Sequence, residues 1–285
     1  MLDRLRLSWG REGKMLCVGL DPDTERLPGC VKGEERPLFA FSRAIVDATA
    51  DLVCAFKPQA AYFHAAAAES ELAETIAYIK ERYPHLVVIL DAKRGDIGAT
   101  ARQYALEAFV RYGADAVTVN PYMGGDTVEP FAQYRDRGVF LICRTSNPSS
   151  GDLQELATGE AGRPLFEEVA RLATGRWNAN RNIGLVVGAP YPSDLGRVRR
   201  LAPEAPILVP GIGAQGGDLN AVLREGCDVA GAGLLINVSR DIIFAGDGPD
   251  FADRARVAAE EYAAAIRKAV EAGGRDNEMG SESRS

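Results

Sequence analysis

Cysteine and histidine are scarce in this chain, whose 285 residues include five Cys and two His. The cysteines are widely spaced and odd in number, and no C-x-x-C pair occurs; they are Cys17, Cys30, Cys54, Cys143 and Cys227. These features argue against a disulfide framework and against a zinc site, because both need paired or closely spaced ligands. We therefore expect reduced thiols, a cytoplasmic location and no metal.

Long apolar runs and an excess of basic residues are also missing. No apolar stretch reaches the length needed to cross a membrane, and residues 1–4 do not resemble the start of a signal peptide. Lys and Arg together number 33 against 40 Asp and Glu, which gives a net charge of −7. We therefore expect neither a membrane nor a nucleic-acid partner, although a local cationic cluster would be enough to bind a small anionic substrate.

Short apolar runs alternate with helical segments along the chain. The predicted strands are 15–20, 52–57, 86–91, 116–120, 139–144, 183–188, 207–211 and 234–239. The predicted helices are 38–50, 69–82, 99–112, 164–177, 219–225 and 251–272. This alternation predicts an α/β protein with a single (β/α)8 TIM barrel over residues 1–272 and a disordered tail over 273–285. A doubly wound sheet stays an alternative, since periodicity alone does not distinguish the two.

Polar residues stand at or just after the ends of six predicted strands. They are Asp21, Lys57, Asp91, Asn120, Arg144 and Arg240. The carboxyl ends of the strands carry the active site in barrels of this type, so the repetition predicts a site at that end. A polar insert, residues 147–162, follows the fifth predicted strand and is interpreted either as a lid or as a surface loop.

The richest pattern is the apolar run 86–90 followed by Asp91, Lys93 and Asp96. Asp91 and Lys93 are two residues apart, so an extended strand would direct both to the same face. Buried ions are costly unless they are paired, and Lys57 would lie on the neighbouring strand. The four residues would form an array of alternating charge, in which each group keeps its neighbours ionised. The array fits a catalytic site or, alternatively, a structural network of salt bridges.

A second pattern combines the glycine-rich segment 211–217, after the seventh predicted strand, with Ser239 and Arg240 at the end of the eighth. Loops after these two strands often bind phosphate in barrels, and backbone amides can approach an anion closely where side chains are absent. Arginine can donate two parallel hydrogen bonds to phosphate. The pattern predicts a phosphate site, with a tight turn and a surface arginine as the alternative.

These motifs resemble the orotidine 5′-phosphate decarboxylase family, and in particular its longer bacterial subgroup. DAKRGDIGAT at 91–100 matches the signature D-x-K-x-x-D-I-x-x-T. Other blocks follow in the family's order over roughly residues 15–245, namely VGLDPD at 18–23, FKPQ at 56–59, RTSNP at 144–148, VPGIGAQGGD at 209–218 and NVSR at 237–240. One departure is His64, which stands where that subgroup usually has an acidic residue.

The resemblance implies conversion of orotidine 5′-monophosphate to uridine 5′-monophosphate and carbon dioxide, without a cofactor. It implies that Lys93 stabilises and protonates a carbanion at C6 of the pyrimidine, and that Asp91 lies beside the substrate carboxylate. It also implies that Lys57 contacts both Asp91 and the ribose, whose hydroxyls Asp21 would bind.

The resemblance further implies a homodimer in which Asp96 and Thr100 reach the partner's site. The remaining substrate contacts that it implies are Gly213, Gln215, Ser239 and Arg240 at the phosphate and Thr145, Ser146 and Asn147 at the pyrimidine, with Ser146 preferred. Taken alone, residues 145–147 would be interpreted as a capped turn, which these residue types favour.

Two other functions stay open on the residues alone. A metal-dependent sugar-phosphate lyase or aldolase of the same superfamily shares the D-x-K-x-x-D pattern, but it needs acidic metal ligands at strand ends, and Lys57 occupies one such end. A non-catalytic phosphate-binding barrel is the other alternative, although a binding protein has no need for the charged array.

Overall fold

The computed structural model describes residues 1–213 and 217–282, apart from the side chains of Arg11 and residues 272–282. Eight parallel strands close into one barrel in the order β1-β10-β9-β8-β5-β4-β3-β2. They are β1 Leu16–Leu20, β2 Ala55–Pro58, β3 Val87–Arg94, β4 Ala116–Val119, β5 Gly138–Arg144, β8 Ile183–Val187, β9 Ile207–Pro210 and β10 Leu234–Val238. The predicted (β/α)8 barrel is confirmed, and closure of the sheet rules out the doubly wound alternative.

Helices surround the barrel and cover its outer face. They are α1 Leu2–Glu12, α2 Gly29–Lys32, α3 Pro37–Thr49, α4 Ala60–Ala65, α5 Glu69–Arg82, α6 Gly98–Leu106, α7 Gly125–Ala132, α8 Gly151–Gln154, α9 Leu165–Thr174, α10 Pro192–Leu201, α11 Leu219–Gly226, α12 Arg240–Ile243 and α13 Phe251–Glu282. A π-helical turn, Glu107–Arg111, continues α6, and a 3-10 turn, Pro148–Ser150, precedes α8. A short antiparallel pair, β6 Ala157–Thr158 and β7 Arg163–Pro164, lies at the end of the 147–162 insert.

The structure differs from the sequence prediction mainly in its helices. The prediction omitted α1, α7 and α10, as well as the short helices α2, α4, α8 and α12. Pro130 lies inside α7, and α10 begins with Pro192 and contains Gly196, so both have residues that disfavour helices when judged locally. Helix α13 extends beyond the predicted end at residue 272. The last three residues and the side chains of 272–282 lie outside the described part of the chain, so the disordered tail stays a prediction.

Side chains alternate between the barrel interior and the layer between strands and helices. Cys17, Ala55, Ile89, Phe140 and Leu235 belong to an interior cluster of fully buried side chains. Their neighbours in sequence belong to a larger cluster that packs the strands against the helices. Continuous apolar strands of this kind are expected when both faces of a sheet are covered.

Helix α1 closes the amino-terminal end of the barrel. Leu5 is fully buried and packs with the interior cluster. Arg4 forms a salt bridge with the buried carboxylate of Asp115, which also binds Lys80. Helix α1 therefore covers the amino-terminal end of the barrel and is held there by its salt bridge. The carboxyl end stays open and can contain the site.

Candidate active site

A cavity of about 420 Å³ opens at the carboxyl ends of the strands. Nine sequence-predicted site residues line it, and they are Asp21, Lys57, Asp91, Lys93, Thr145, Ser146, Asn147, Ser239 and Arg240. These residues come from the ends of β1, β2, β3, β5 and β10, which are far apart in sequence. The barrel therefore brings together both of the charged patterns and the 145–147 segment.

Asp91 is the centre of the charged array. Its Oδ1 accepts hydrogen bonds from Lys93 Nζ at 2.7 Å and from Thr118 Oγ1 at 2.8 Å. Its Oδ2 accepts from Lys57 Nζ at 2.8 Å and from Gln59 Nε2 at 3.0 Å. Four donors saturate the carboxylate, which fixes its orientation. An acid held in this way cannot rotate, and it presents Lys93 to the cavity.

The electrostatics keep this array ionised. Burial by itself raises the pKa of Asp91, but the ammonium groups of Lys57 and Lys93 outweigh burial and hold that pKa well below its usual value. Burial likewise lowers the pKa of Lys57, but the carboxylates of Asp91 and Asp21 outweigh it, so this pKa lies above its ordinary value. Both directions follow from opposite charges at close range in a buried setting.

The backbone at Lys93 departs from a regular strand. The pairing of β3 with β4 shifts register between Leu90 and Arg94, and Lys93 has φ of 45°. The side chains of Asp91 and Lys93 do meet, as the sequence predicts. The reason given for it, simple alternation along a regular strand, is wrong. The contact lies within a bulge, where three residues of β3, from Asp91 to Lys93, stand opposite Thr118 of β4 alone.

Asp21 lies at the ribose side of the predicted arrangement, after β1. Its Oδ1 is 3.9 Å from Lys57 Nζ. This oxygen is buried, and no described residue donates a hydrogen bond to it. A buried acceptor without a donor is unfavourable, so a hydroxyl group of a ligand would be stabilised here.

Ser239 and Arg240, after β10, line the same cavity, as do Gly211 and Ile212 after the neighbouring β9. Arg240 is exposed. The carboxylate of Asp241 also lies here and accepts a hydrogen bond from Tyr262 Oη at 3.0 Å. Gly213 is not among the residues that line the cavity. It has φ of 80°, and a Cβ at this position would collide with Asp241. The predicted Gln215 lies outside the described residues.

Within the 145–147 segment, Thr145 and Ser146 have different hydrogen bonds. Thr145 Oγ1 donates to Asn147 Oδ1 at 2.7 Å and accepts from Gln154 Nε2 at 2.8 Å. The hydroxyl of Ser146 bonds to none of the described residues. Gly188, after β8, lets this backbone approach, since a Cβ there would lie 2.8 Å from Ser146 N and Cα. Ser146 is therefore the hydroxyl left available to a ligand.

Two polar residues at strand ends do not line the cavity, contrary to the sequence argument. Arg144 is 1 % exposed and turns outward from the barrel, where it donates to Asp194 Oδ2 at 2.9 Å and Ser150 Oγ at 2.6 Å and pairs with Glu155. These contacts tie the base of the 147–162 insert to α10. Asn120 is exposed, and its Oδ1 accepts from Tyr122 N. A side chain at a strand end can point into the barrel or outward from it, and Arg144 and Asn120 both point outward.

Asp96 and Thr100 also lie away from the cavity of their own chain. Asp96 Oδ1 accepts a hydrogen bond from Ile97 N at 2.8 Å, and Thr100 is exposed on α6. Asp96 follows the bulge at Lys93 and lies beyond the end of β3 at Arg94. The structure therefore separates Asp96 from the other three members of the predicted array.

Sequence reasoning missed four polar residues that line the cavity, and they are Gln59, Thr118, Asn237 and Asp241. Gln59 and Asn237 lie inside blocks that the sequence analysis quoted, so the signal was present. Thr118 occupies an inward position of β4, where a polar residue among Ala, Val and Val is itself a signal. Asp241 adjoins Arg240. An acidic residue is not expected to bind phosphate, so the predicted phosphate site gave no reason to select it.

His64 is half-buried, and its Nε2 lies 3.3 Å from Tyr112 Oη, outside the cavity. Over residues 1–213 and 217–282, no group of three or more His, Cys, Asp or Glu side chains is placed to hold a metal ion. Over the same residues, no helix is both long enough and apolar enough to span a bilayer.

Comparison with known proteins agrees with this geometry. A family model described as the orotidine 5′-phosphate decarboxylase / HUMPS family matches residues 14–255. The orotidine 5′-phosphate decarboxylase of Dechloromonas aromatica (strain RCB) is 56 % identical over 265 residues, which cover 93 % of this chain and 97 % of that protein. The enzyme of the same name from Azoarcus sp. (strain BH72) is 56 % identical over 262 residues, covering 92 % and 96 %.

Solved structures give the same result. The OMP decarboxylase of Leishmania donovani superposes with a TM-score of 0.81 at 39 % identity, covering 94 % of this chain and 98 % of that one. The UMP synthase of the same organism superposes with a TM-score of 0.83 at 41 % identity and covers 95 % of this chain, which spans 56 % of that longer chain. On the match of the family model and on these identities, the chain belongs to the orotidine 5′-phosphate decarboxylase / HUMPS family.

Proposed function

We propose that this protein decarboxylates orotidine 5′-monophosphate to uridine 5′-monophosphate and carbon dioxide. The observation that carries the proposal is the buried Asp91 held between Lys57 and Lys93 at the floor of the cavity. The curated relatives described above carry the name of this activity. The array also favours the decarboxylase over a sugar-phosphate lyase, because lysines occupy the oxygens that a metal would need.

The proposed chemistry needs a cation at one carbon atom. The bond from C6 to the carboxylate breaks, its electron pair stays on C6, and carbon dioxide leaves. Lys93 Nζ stabilises the developing negative charge and then donates its proton to C6. Asp91 keeps Lys93 charged and oriented through the 2.7 Å contact. Fixed ions of this kind stabilise a transition state without reorganising during the reaction.

The remaining cavity residues would bind the nucleotide. Asp21 would accept hydrogen bonds from ribose hydroxyls, which is supported by its buried Oδ1 without a donor among the described residues. Arg240 and Ser239 would bind the phosphate, and Ser146 would contact the edge of the pyrimidine. Binding energy at the phosphate can be used at the distant reacting carbon. We propose that Gln215 completes the phosphate loop, whose backbone Gly213 shapes through its positive φ.

We further propose a homodimer in which Asp96 and Thr100 complete the partner's site. Both residues face away from their own cavity, as described above. Ile97, Tyr122 and Met123 expose 61 %, 77 % and 46 % of their surface on the same side of the barrel. Exposed apolar side chains in one region are typical of an interaction surface. A second copy is the occupant that would use both the apolar patch and the two polar residues.

Incubation of the purified protein with orotidine 5′-monophosphate and EDTA, followed by substrate absorbance, tests the proposed function. We expect turnover with the chelator present and much weaker turnover of orotidine, which lacks the phosphate. Activity that returns only with added magnesium would favour the lyase alternative. Binding of uridine 5′-monophosphate without any turnover would favour the phosphate-binding barrel.

The five free thiols support a reducing, cytoplasmic location.

A further inference from the structure

Thr118 joins the charged array to the backbone beneath it. Its hydroxyl is buried, and it donates to Asp91 Oδ1 at 2.8 Å. The hydroxyl oxygen of Thr118 in turn accepts hydrogen bonds from Ala92 N at 3.0 Å and Lys93 N at 2.9 Å. A hydroxyl has one proton and two lone pairs, so these three bonds use its full capacity.

These bonds hold a backbone conformation that lysine does not favour. Lys93 has φ of 45°, in the left-handed region where a Cβ is crowded. Such a conformation is unfavourable for a residue with a Cβ, so the surrounding structure must hold it there. The two hydrogen bonds to Thr118 come from the amides of Ala92 and Lys93, so they fix the backbone that leads into this torsion. The torsion in turn sets the direction in which the Lys93 side chain leaves the backbone.

We infer that Thr118 is a positioning residue, whose hydroxyl holds Lys93 in its left-handed conformation and Asp91 in its orientation so that Lys93 Nζ points at the reacting carbon. This inference rests on the proposed function for its kinetic consequences. Its structural part, the φ of Lys93, stands on the hydrogen bonds alone. Half of the Lys93 side chain is exposed, and Asp91 is its one carboxylate partner among the described residues, so little else fixes its direction.

Thr118→Val tests the inference because it keeps the side-chain shape and removes the hydroxyl. We expect kcat to fall about 100-fold, since a misplacement of about 1 Å at a reacting group has an effect of this size. KM should change by less than about threefold, because Thr118 lies beneath the array rather than at the phosphate. Thr118→Ser keeps the hydroxyl and should restore kcat to near the wild-type value.

Thr49→Val is the matched control. Thr49 is also fully buried and donates its hydroxyl to a backbone carbonyl, that of Ile45, at 2.8 Å. It lies on α3, outside the barrel, so its loss should lower stability without a selective loss of kcat. In the Lys93→Ala background, Thr118→Val should cause no further loss, because its effect runs through Lys93.

Three results would overturn the inference. They are full kcat in folded Thr118→Val, equal loss in Thr118→Val and Thr118→Ser, and a loss that multiplies with that of Lys93→Ala. If Thr118→Val does not fold, Thr118→Cys replaces it, since a thiol is a weak donor and acceptor. Thr118→Cys should lose kcat selectively. Full kcat in this variant would overturn the inference.

A crystal structure of the variant separates this inference from the proposed function. In Thr118→Val, or in Thr118→Cys if it replaces it, φ of Lys93 should return to a negative value. A φ that stays near 45° would overturn the inference whatever the activity. Absence of turnover by the wild-type protein would contradict the proposed function, and the structure of the variant would still decide the role of Thr118.

Discussion

Two lysines bind the same carboxylate, but their environments differ. The side chain of Lys57 is 4 % exposed, and that of Lys93 is 51 % exposed. A buried ion that loses its partner is left uncompensated, whereas a half-exposed ion is partly stabilised by water. At the scale of single residues, we therefore expect Lys57 to contribute more to the stability of the array than Lys93, whose proposed role is mainly chemical.

Alanine variants of the two lysines should separate stability from activity. We expect Lys57→Ala to lower the free energy of unfolding by about 3–5 kcal/mol, because Asp91 is left buried without its more deeply buried counter-ion. Lys93→Ala should lower it by less than about 1 kcal/mol, yet reduce kcat/KM at least about 10³-fold. Urea denaturation and steady-state kinetics measure both quantities. Equal destabilisation by the two substitutions would contradict this assignment.

The array also predicts a dependence of stability on pH. The pKa of Asp91 in the folded protein lies below its unfolded value of 3.8, so its contribution is present above pH 3.8 and is lost as the pH falls through the folded-state pKa. The pKa of Lys57 lies above its unfolded value of 10.5, so its contribution is lost only above that pH.

The difference in unfolding free energy between wild type and Asp91→Asn should therefore be constant from about pH 5 to 9 and should shrink below about pH 3.8. Urea unfolding at stepped pH measures this difference. A difference that grows on acidification would mean that the pKa of Asp91 is raised on folding rather than lowered.

At the scale of elements, the site depends on close packing between the end of β8 and the segment after β5. Gly188 leaves room for the backbone of Ser146, and Gln154 on α8 holds Thr145 N at 2.8 Å. Arg144 fixes the same segment from its outer side through Ser150 and Glu155. The first part of the 147–162 insert is therefore anchored to the barrel at its base, which favours a fixed wall of the cavity over a freely moving lid.

Gly188→Ala should displace Ser146, because the new Cβ would lie 2.8 Å from its backbone. We expect KM to rise about tenfold, as when one hydrogen bond to a substrate is lost, with a stability loss of about 1–3 kcal/mol from overpacking. Gly10→Ala is the matched control, since nothing lies within 4 Å of a Cβ there. The control should leave KM unchanged. An unchanged KM in Gly188→Ala as well would mean that Ser146 does not contact the substrate.

At the scale of the whole molecule, one chain does not contain all four charged residues of the array in one place. Lys57, Asp91 and Lys93 line the cavity, and Asp96 lies outside it, next in sequence to the exposed Ile97. A two-fold dimer would exchange equivalent residues between two sites. The proposed active unit is therefore the dimer.

Mixing two inactive variants tests this proposal. Lys93→Ala and Asp96→Ala should each be nearly inactive as pure proteins. After subunit exchange a mixed dimer would have one site with both changes and one with neither. Random pairing makes about half of the dimers mixed, so about a quarter of all sites should be intact. If mass spectrometry shows exchange and activity stays at the level of the parents, each site uses Lys93 and Asp96 of the same chain.

Much of the fold could be predicted from local pattern. Each barrel strand lies within about three residues of its predicted limits, because apolar runs bounded by polar residues mark buried strands. Helices α7 and α10 were missed, since packing against the barrel stabilises them despite their prolines. Lys57, Asp91 and Lys93, which the sequence analysis selected because charges at the end of a buried run are costly without a use, line the cavity.

The sequence by itself determined the barrel, the end that carries the site, and the residue types that meet there. The tertiary structure alone decided three things: Arg144 turns outward, Asp96 leaves the cavity, and Lys93 adopts a left-handed backbone supported by Thr118. Alternation and propensity are local properties that extend over a few residues. Hydrogen-bond partners instead depend on strand register and on the bulge in β3, which are set when the sheet closes and β4 comes to lie beside β3.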